Sequence, residues 1–339
     1  MATKTRGYDS YHGRGNAGKV ILSVVLILVI LGAVGFFIVQ NYMVYDAEGN
    51  AHLEMPFLQK KEPAPVPVEP EDVEIEILEP EIKRPVLREL HAAELRYGCL
   101  WWNSDYVLTL APEDMMIDTK RFAGGVTYDS GVAGVPYKET GDTRNNLTAL
   151  LNSEKYAVAR MACFCDSLFE KDDTSVALMR TNGVRWYDGV GYGWINPASS
   201  KVQTYLIDLA KEMVEMGFDE ILLDYFSYPT TGDYTDVPLI READKEQVLL
   251  DFVTALREAL PETVVISAVL RSEIRSEFGL SEKLLLENFD RIYVEYGRDA
   301  ADLTAAAEQW DSNYVAQIVP MVYAAPEQGS YLKLWRTEE

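Results

Sequence analysis

Histidine and cysteine are scarce in this chain of 339 residues, which has three of each. The histidines are His12, His52 and His91, and all three fall before the predicted strands described below. A Ser-His-Asp arrangement is therefore not predicted. No Cys-x-x-Cys pair or histidine cluster indicates zinc, and no other cofactor is expected, although a cluster of acids would suit Ca²⁺. The cysteines are Cys99, Cys163 and Cys165, which leaves buried free thiols or a single bridge from Cys99.

Positive charge is also in short supply, since the formal net charge is -23. Nucleic acid phosphates and anionic lipid surfaces would repel such a chain, so neither is an expected partner. The glycine-rich stretch YDGVGYGW has no strand before it and no suitable helix start after it, which excludes a phosphate-binding loop. The composition instead indicates an acidic, solvated domain.

One long apolar run is present near the start of the chain. Residues 20–39 carry no charge for 20 positions, about the length that crosses the hydrocarbon core of a bilayer. We predict a transmembrane anchor helix at residues 20–42, uncleaved because the run ends in bulky and aromatic residues. The basic residues of segment 1–19 place this tail in the cytoplasm, so the rest of the chain is predicted to be extracytoplasmic on a single-pass cell-membrane protein.

Two further segments follow the predicted anchor. Residues 43–87 are rich in Pro, Glu and Val, which is typical of an extended stalk without a packed core. Residues 88–339 have the length of one barrel domain, and short apolar runs alternate there with helical patterns. No feature of the sequence indicates an oligomeric state.

The alternation of strands and helices predicts an α/β domain with a parallel sheet. Its length favours a TIM-like (β/α)8 barrel over an open doubly wound sheet. The predicted strands are 95–101, 125–128, 157–163, 220–224, 264–270, 291–295 and 315–323. The predicted helices include 200–216, ended by Gly217, together with 245–260 and 302–310. Seven strands are found, so the eighth is unplaced or the barrel is incomplete.

Acidic residues stand at the carboxyl ends of several predicted strands, which is where the active sites of such barrels lie. The principal ones are Asp129, Asp166, Asp224 and Glu295. Paired carboxylates without histidine suit glycosidic cleavage, which needs a proton donor and a second carboxylate. Aromatic side chains cluster around Asp224, and aromatic surfaces suit the apolar faces of sugar rings. These aromatics include Trp186, Trp194, Tyr225 and Tyr228.

Three stretches carry a resemblance to a known family. They are YAVARMACFCDSLF, GWINPASSKVQTYLIDLAKEMVEMGFDEILLDYFSYP and FDRIYVEYG. They resemble consecutive motifs of a bacterial TIM-barrel family of putative glycoside hydrolases, distantly similar to the α-amylase clan. The resemblance implies a carbohydrate substrate, and it implies that Asp224 corresponds to the strand-four carboxylate that acts as nucleophile in amylase-like barrels. It further implies that Asp129 lies beside the site and that Arg160 belongs to the strand-three motif.

The sequence departs from this family at two positions. Val269 stands where the family tends to have an acid after strand five, and Glu295 ends strand six where an apolar residue is usual. We predict catalytic roles for Asp224 and Glu295, with Glu295 as the general acid/base. The predicted substrate-binding residues are Asp129, Arg160, Asp166, Trp186, Trp194, Asn196, Tyr225 and Tyr228. The alternative is a non-catalytic module, on a degenerate hydrolase barrel, that binds carbohydrate or cell wall.

Overall fold

The protein is described here from a computed structural model. The structure describes residues 17–45, 51–53, 84–102, 104–110, 114–241, 243–272 and 276–335. The chain divides into two compact units, Met1–Leu78 and Glu79–Glu339. Most of the predicted cytoplasmic tail and of the predicted stalk lie outside the described residues.

Within the described residues, the first unit contains one long helix and a small hairpin. Helix α1 spans Ala17–Tyr42, and strands β1 (Met43–Tyr45) and β2 (Ala51–Leu53) pair antiparallel. The side chains of α1 are described over residues 21–37, where most are apolar and all are exposed. Over the described residues, no helix combines the length and the apolarity that a membrane span needs.

The second unit is a closed barrel of eight parallel strands, as the sequence predicts. The strands are β3 (His91–Leu95), β4 (Asp114–Lys120), β5 (Ala157–Ala162), β6 (Glu220–Asp224), β7 (Val265–Leu270), β8 (Arg291–Val294), β9 (Ile318–Val322) and β10 (Tyr331–Lys333). They pair in chain order, and β10 closes the barrel against β3. The domain is therefore a TIM-like (β/α)8 barrel.

Helices connect most of these strands. They are α2 (Ser104–Leu110), α3 (Thr143–Leu151), α4 (Ser167–Asp172), α5 (Ser200–Met216), α6 (Pro238–Arg241), α7 (Lys245–Ala259), α8 (Glu282–Asn288) and α9 (Ala300–Trp310). Short 3-10 helices occupy Tyr97–Trp101, Thr174–Val176, Ser276–Phe278 and Ser312–Gln317. Helix α5 has the predicted bounds and ends at Gly217, whose φ of 112° permits the left-handed cap. Residues 323–330 join β9 to β10 without a helix.

Three strands differ from the prediction. The first barrel strand ends at Leu95, where the predicted strand 95–101 begins, and Tyr97–Trp101 is helical instead. The predicted strand 125–128 is a loop with isolated bridges, and the second barrel strand is β4. The unplaced eighth strand is β10, which has only three residues and so gave no recognisable pattern.

An apolar layer crosses the barrel interior. Its members, one from each strand, are Ala92, Met116, Val158, Leu222, Val269, Tyr293, Val319 and Leu332. Below it, nearer the amino ends of the strands, buried Arg291 donates to Glu220 at 2.6 Å. Because side chains alternate along a strand, the residue two positions after each layer member faces the same interior one step nearer the carboxyl ends. Charged side chains lie at this next level of the barrel interior.

Candidate active site

Six consecutive barrel strands place a charged residue directly above the apolar layer. We call this set the charged ring, and it consists of Glu94, Asp118, Arg160, Asp224, Arg271 and Glu295. Each member follows an apolar layer residue by two positions. The ring therefore lies at the carboxyl end of the barrel, where catalytic groups of this fold occur.

Asp224 is the most enclosed member of the charged ring, with 2% of its side chain exposed. Arg271 donates from Nε to Oδ1 at 2.7 Å and from Nη2 to Oδ2 at 2.8 Å. Arg160 Nε donates to Oδ2 at 3.0 Å, and the Tyr225 amide donates to Oδ1 at 2.8 Å. Burial acts to raise the pKa of Asp224, but Arg271 and Arg160 outweigh it and lower this pKa to about 2. Asp224 is thus a carboxylate that stays ionised.

Glu295 joins the same ion-pair network. Its Oε1 accepts from Arg271 Nη1 at 2.8 Å, and its Oε2 accepts from the amide and the hydroxyl of Ser272 at 2.9 and 3.1 Å. Arg271 consequently bridges the two predicted catalytic acids. The structure brings Asp224 and Glu295 together, and their catalytic roles stay predictions.

Arg160 faces three carboxylates. It lies 3.2 Å from Glu94 through Nη1, and its Nε lies 3.0 Å from Asp224 and 3.5 Å from Asp118. Burial raises the pKa of Asp118, Arg160 opposes this, and Glu94 and Asp224 add to the increase. Two neighbouring acids, Asp118 and Asp224, therefore have pKa values displaced in opposite directions.

Tyr225 forms part of the wall of this site. Its φ of 49° is in the left-handed region, which is uncommon for a residue with a side chain. The ring lies 3.9 Å from the Arg271 guanidinium carbon and stacks on Phe122 with a centroid distance of 5.6 Å. The strained backbone therefore holds an aromatic surface against the cation that binds Asp224.

Two predicted substrate-binding acids lie outside the charged ring. Asp166 is fully buried, pairs with Lys120 at 2.8 Å and caps α4 through the amides of Leu168 and Phe169. Asp129 is partly exposed in the loop after β4 and pairs with Lys138 at 2.7 Å. Both side chains have structural partners, and their contacts with substrate stay predictions.

The predicted aromatic contacts are mostly enclosed. Trp186 and Tyr228 are fully buried, and Trp194 is 5% exposed with Nε1 donating to Asp188. Asn196 accepts from the Ala198 amide at 3.1 Å, which is a turn contact. A glycan reaches the buried rings only if the loops around them move, whereas Tyr225 is already partly accessible.

Sequence reasoning missed Glu94 and Asp118 as site residues. The signal that finds them is a position two residues after an interior apolar residue of the same strand. Glu94 follows Ala92 in this way, and Asp118 follows Met116. This signal depends on placing β3 and β4 correctly, and both strands were predicted elsewhere. Arg271 was not among the predicted site residues either, although it follows Val269 by the same spacing of two.

The remaining chemistry is limited. Among the described residues, no group of three or more His, Cys, Asp or Glu side chains is arranged to hold a metal ion. The three cysteines are buried free thiols. Burial raises the pKa of Cys99 to about 12, so the site offers carboxylate and guanidinium groups rather than a thiolate.

Residues 108–274 match a family model described as "putative glycosyl hydrolase domain". The resemblance identified from the motifs is thereby confirmed over this segment of the barrel. It contains Asp118, Arg160, Asp224 and Arg271 of the charged ring, while Glu94 and Glu295 lie outside the match. No curated protein sequence matches the chain.

Solved structures are also similar to this chain. A hypothetical protein from Ruminiclostridium thermocellum matches at 26% identity, covering 52% of this chain and 96% of that one, with a TM-score of 0.44. An α-galactosidase from Thermus thermophilus matches at 14% identity, covering 74% and 59%, with a TM-score of 0.46. The glycoside hydrolase domain of PelA from Pseudomonas aeruginosa matches at 12% identity, covering 70% and 85%, with a TM-score of 0.39. Since these scores are below 0.5, the functional argument rests on the family match and the charged ring.

Proposed function

We propose that this chain is a membrane-anchored, extracytoplasmic glycoside hydrolase that acts on a polysaccharide or cell-wall glycan. The observation that carries the proposal is the pair of neighbouring acids, Asp118 and Asp224, whose pKa values are displaced in opposite directions. Glycosidic cleavage requires one protonated and one ionised carboxyl group, and environments that separate two pKa values supply them. The family match supports the same reaction class.

Asp224 provides the ionised carboxylate in this proposal. The transition state of glycosidic cleavage carries positive charge on the sugar, which a fixed negative group stabilises. The four donors around Asp224 preorganise it for that role, or for direct attack as the nucleophile. Glu295 is the acid/base candidate that the sequence predicts.

Exposed aromatic rings follow several barrel strands at the end where the charged ring lies. They are Phe122, Tyr187, Tyr296 and Tyr323. Tyr296 directly follows Glu295, and its ring meets that of Tyr323 edge-on with a centroid distance of 4.5 Å. Such surfaces suit the apolar faces of pyranose rings, so we assign Tyr296 and Tyr323 to glycan binding.

The anchor and the extracytoplasmic location are part of the proposal. They are supported by the uncharged run at residues 20–39 and by the basic residues before it. A protease-accessibility assay on intact cells, with tags at either end of the full-length chain, tests the orientation. Protection of the N-terminal tag and digestion of the C-terminal tag are expected, and the opposite result would exclude it.

A second candidate function is a non-catalytic module that binds glycan. The enclosure of Asp224 favours it, because both carboxylate oxygens are already occupied by donors. The buried Val269, where an acid was expected from the family pattern, points in the same direction.

Reducing-sugar release distinguishes the two functions. The full-length chain is incubated with cell-wall and storage glycans, beside Asp224→Asn and a control, Asp208→Asn, which alters an exposed acid on α5. Hydrolysis predicts release by the wild type and the control and loss in Asp224→Asn. Binding to a glycan without release by the wild type would support the second function.

A further inference from the structure

The four carboxylates of the charged ring are not equally paired. Asp224 accepts from four donors and Glu295 from three. Glu94 accepts from Arg160 at 3.2 Å and from the Trp335 amide at 2.9 Å. Each of these three carboxylates therefore accepts at least two hydrogen bonds.

Asp118 has a weaker set of contacts. Its carboxylate lies 3.5 Å from Arg160 Nε, and that same nitrogen donates to Asp224 at 3.0 Å. A separation of 3.5 Å is at the limit of a hydrogen bond, so the Arg160 proton is directed to Asp224. Asp118 is thus the ring member whose negative charge is least compensated.

The position of Asp118 also suits contact with a substrate. It stands directly across from Arg160 in the β4–β5 register, above Met116 of the apolar layer. Its side chain is 23% exposed, whereas that of Asp224 is 2% exposed. The carboxyl group of Asp118 is consequently reachable from the carboxyl end of the barrel. The part of its side chain nearest the backbone lies in the low-dielectric barrel wall.

We propose that Asp118 is the catalytic acid of this site and delivers its proton to the glycosidic oxygen, with Asp224 ionised beside it. This assignment rests on the hydrolase function proposed above, and it moves the acid role from Glu295 to a residue on β4. The raised pKa of Asp118, caused first by burial, is consistent with the contacts that carry the assignment.

The reaction balances with water as the only co-reactant. The Asp118 carboxyl proton moves to the glycosidic oxygen as the bond from C1 to that oxygen breaks, and the bonding electron pair remains on the departing oxygen. In a two-step route Asp224 bonds to C1, and water then attacks C1 as the bond from C1 to Asp224 breaks and one water proton passes to Asp118. In a one-step route water bonds to C1 directly, one of its protons passes to Asp224, and Asp118 regains a proton from solvent. In both routes water supplies the hydroxyl group on C1.

The leaving-group dependence of the rate tests this assignment. The wild type, Asp118→Asn, Glu295→Gln and Asp224→Asn are compared as full-length chains on a glycan that the wild type cleaves, and on the 2,4-dinitrophenyl glycoside of the sugar released. Dinitrophenolate departs without protonation, so a missing acid matters little for it. We expect Asp118→Asn to lower kcat/KM on the glycan by about 10² to 10⁴-fold and to retain most of the kcat/KM on the dinitrophenyl glycoside, because this parameter reports the step in which the leaving group departs.

The outcomes separate this assignment from the function on which it rests. Three results would overturn the acid role of Asp118 alone. They are equal losses of kcat/KM on both substrates in Asp118→Asn, an unchanged kcat/KM on the glycan in that variant, and a loss in Glu295→Gln that is confined to the glycan. No release by the wild type from any glycan would overturn the hydrolase function and the acid role with it.

A second measurement needs no turnover. In protein labelled with ¹³C at the Asp carboxyl carbon, the signal absent from Asp118→Asn identifies Asp118. Its titration midpoint is expected above about 3.9, the ordinary value for an aspartate. A midpoint at or below that value would contradict the proposal even if the variant were inactive.

Discussion

Arg271 binds both carboxylate oxygens of Asp224, through Nε at 2.7 Å and Nη2 at 2.8 Å. This two-point pairing fixes the orientation of the carboxylate as well as its charge. It makes Asp224 part of the stability of the barrel in addition to its proposed role in cleavage.

The pairing predicts a specific acid sensitivity. The pKa of Asp224 is about 2 in the folded chain against an ordinary 3.8, so its stabilising contribution is present above pH 4 and is lost as the pH falls through 2. A pKa shift of this size corresponds to roughly 2 kcal/mol of the free energy of unfolding. Urea unfolding of the wild type and Asp224→Asn between pH 5 and pH 2 is expected to show their difference shrinking by about that amount. A difference independent of pH, like that expected for Asp208→Asn, would contradict the prediction.

The left-handed backbone at Tyr225 predicts that Tyr225→Gly destabilises the protein less than Tyr225→Ala does. Both Tyr225→Gly and Tyr225→Ala remove the ring from Arg271, but only alanine retains the steric cost of a φ of 49°. We expect the glycine variant to have the higher free energy of unfolding by about 1 kcal/mol. Chemical denaturation of the two variants provides the comparison, and an alanine variant of equal or greater stability would show that this conformation is not strained.

The distance between the two proposed acids predicts the stereochemistry. Asp118 and Asp224 lie within 3.5 and 3.0 Å of the same Arg160 nitrogen, so their nearest oxygens are at most about 6.5 Å apart. Retaining enzymes hold their carboxyl groups about 5 to 5.5 Å apart, and inverting enzymes about 6.5 to 9.5 Å apart. We expect retention, which proton NMR of the anomer first released would detect. Release of the opposite anomer would assign the reaction to a different pair of carboxylates.

The exposed tyrosines predict an effect on binding without an effect on stability. Tyr296 and Tyr323 are 57% and 41% exposed. Their joint replacement by alanine should weaken glycan binding by about tenfold or more, at roughly 1 kcal/mol for each ring. Titration of an oligosaccharide into each chain provides the measurement. Trp310→Ala is the control because Trp310 is similarly exposed, at the end of α9. Equal effects from the control and the tyrosine pair would mean that the tyrosines are not a binding surface.

The central strands were predictable because each is an isolated apolar run. Residues 220–224 were predicted as a strand with the bounds that the structure has, and the acid at its end was predicted from the same run. Helix α5, which precedes this strand, was also predictable, because it has a clear apolar face and ends at Gly217. Where pattern and burial agree, sequence reasoning located both the element and its functional residue.

The first two barrel strands were not predictable in the same way. Strand β4 reads DMMIDTK, and its acids and lysine are typical of a loop unless their buried partners are known. Lys120 is fully buried because it pairs with Asp166, which lies 46 positions later in the chain. Asp118 was missed for this reason, since Arg160, 3.5 Å from its carboxylate, is distant from it in the sequence.

The ordered layers inside the barrel also determine which closures are possible. A slip of one residue would turn the apolar layer member of a strand outward, and a slip of two would place a charge such as Asp224 or Glu220 at the level of Leu222. Either error leaves a charge without its partner in a low-dielectric interior. The stack of charged, apolar and charged levels therefore favours a single strand register, and so a single shear, for the barrel. The charged groups proposed for catalysis consequently also destabilise barrels that close in an incorrect register.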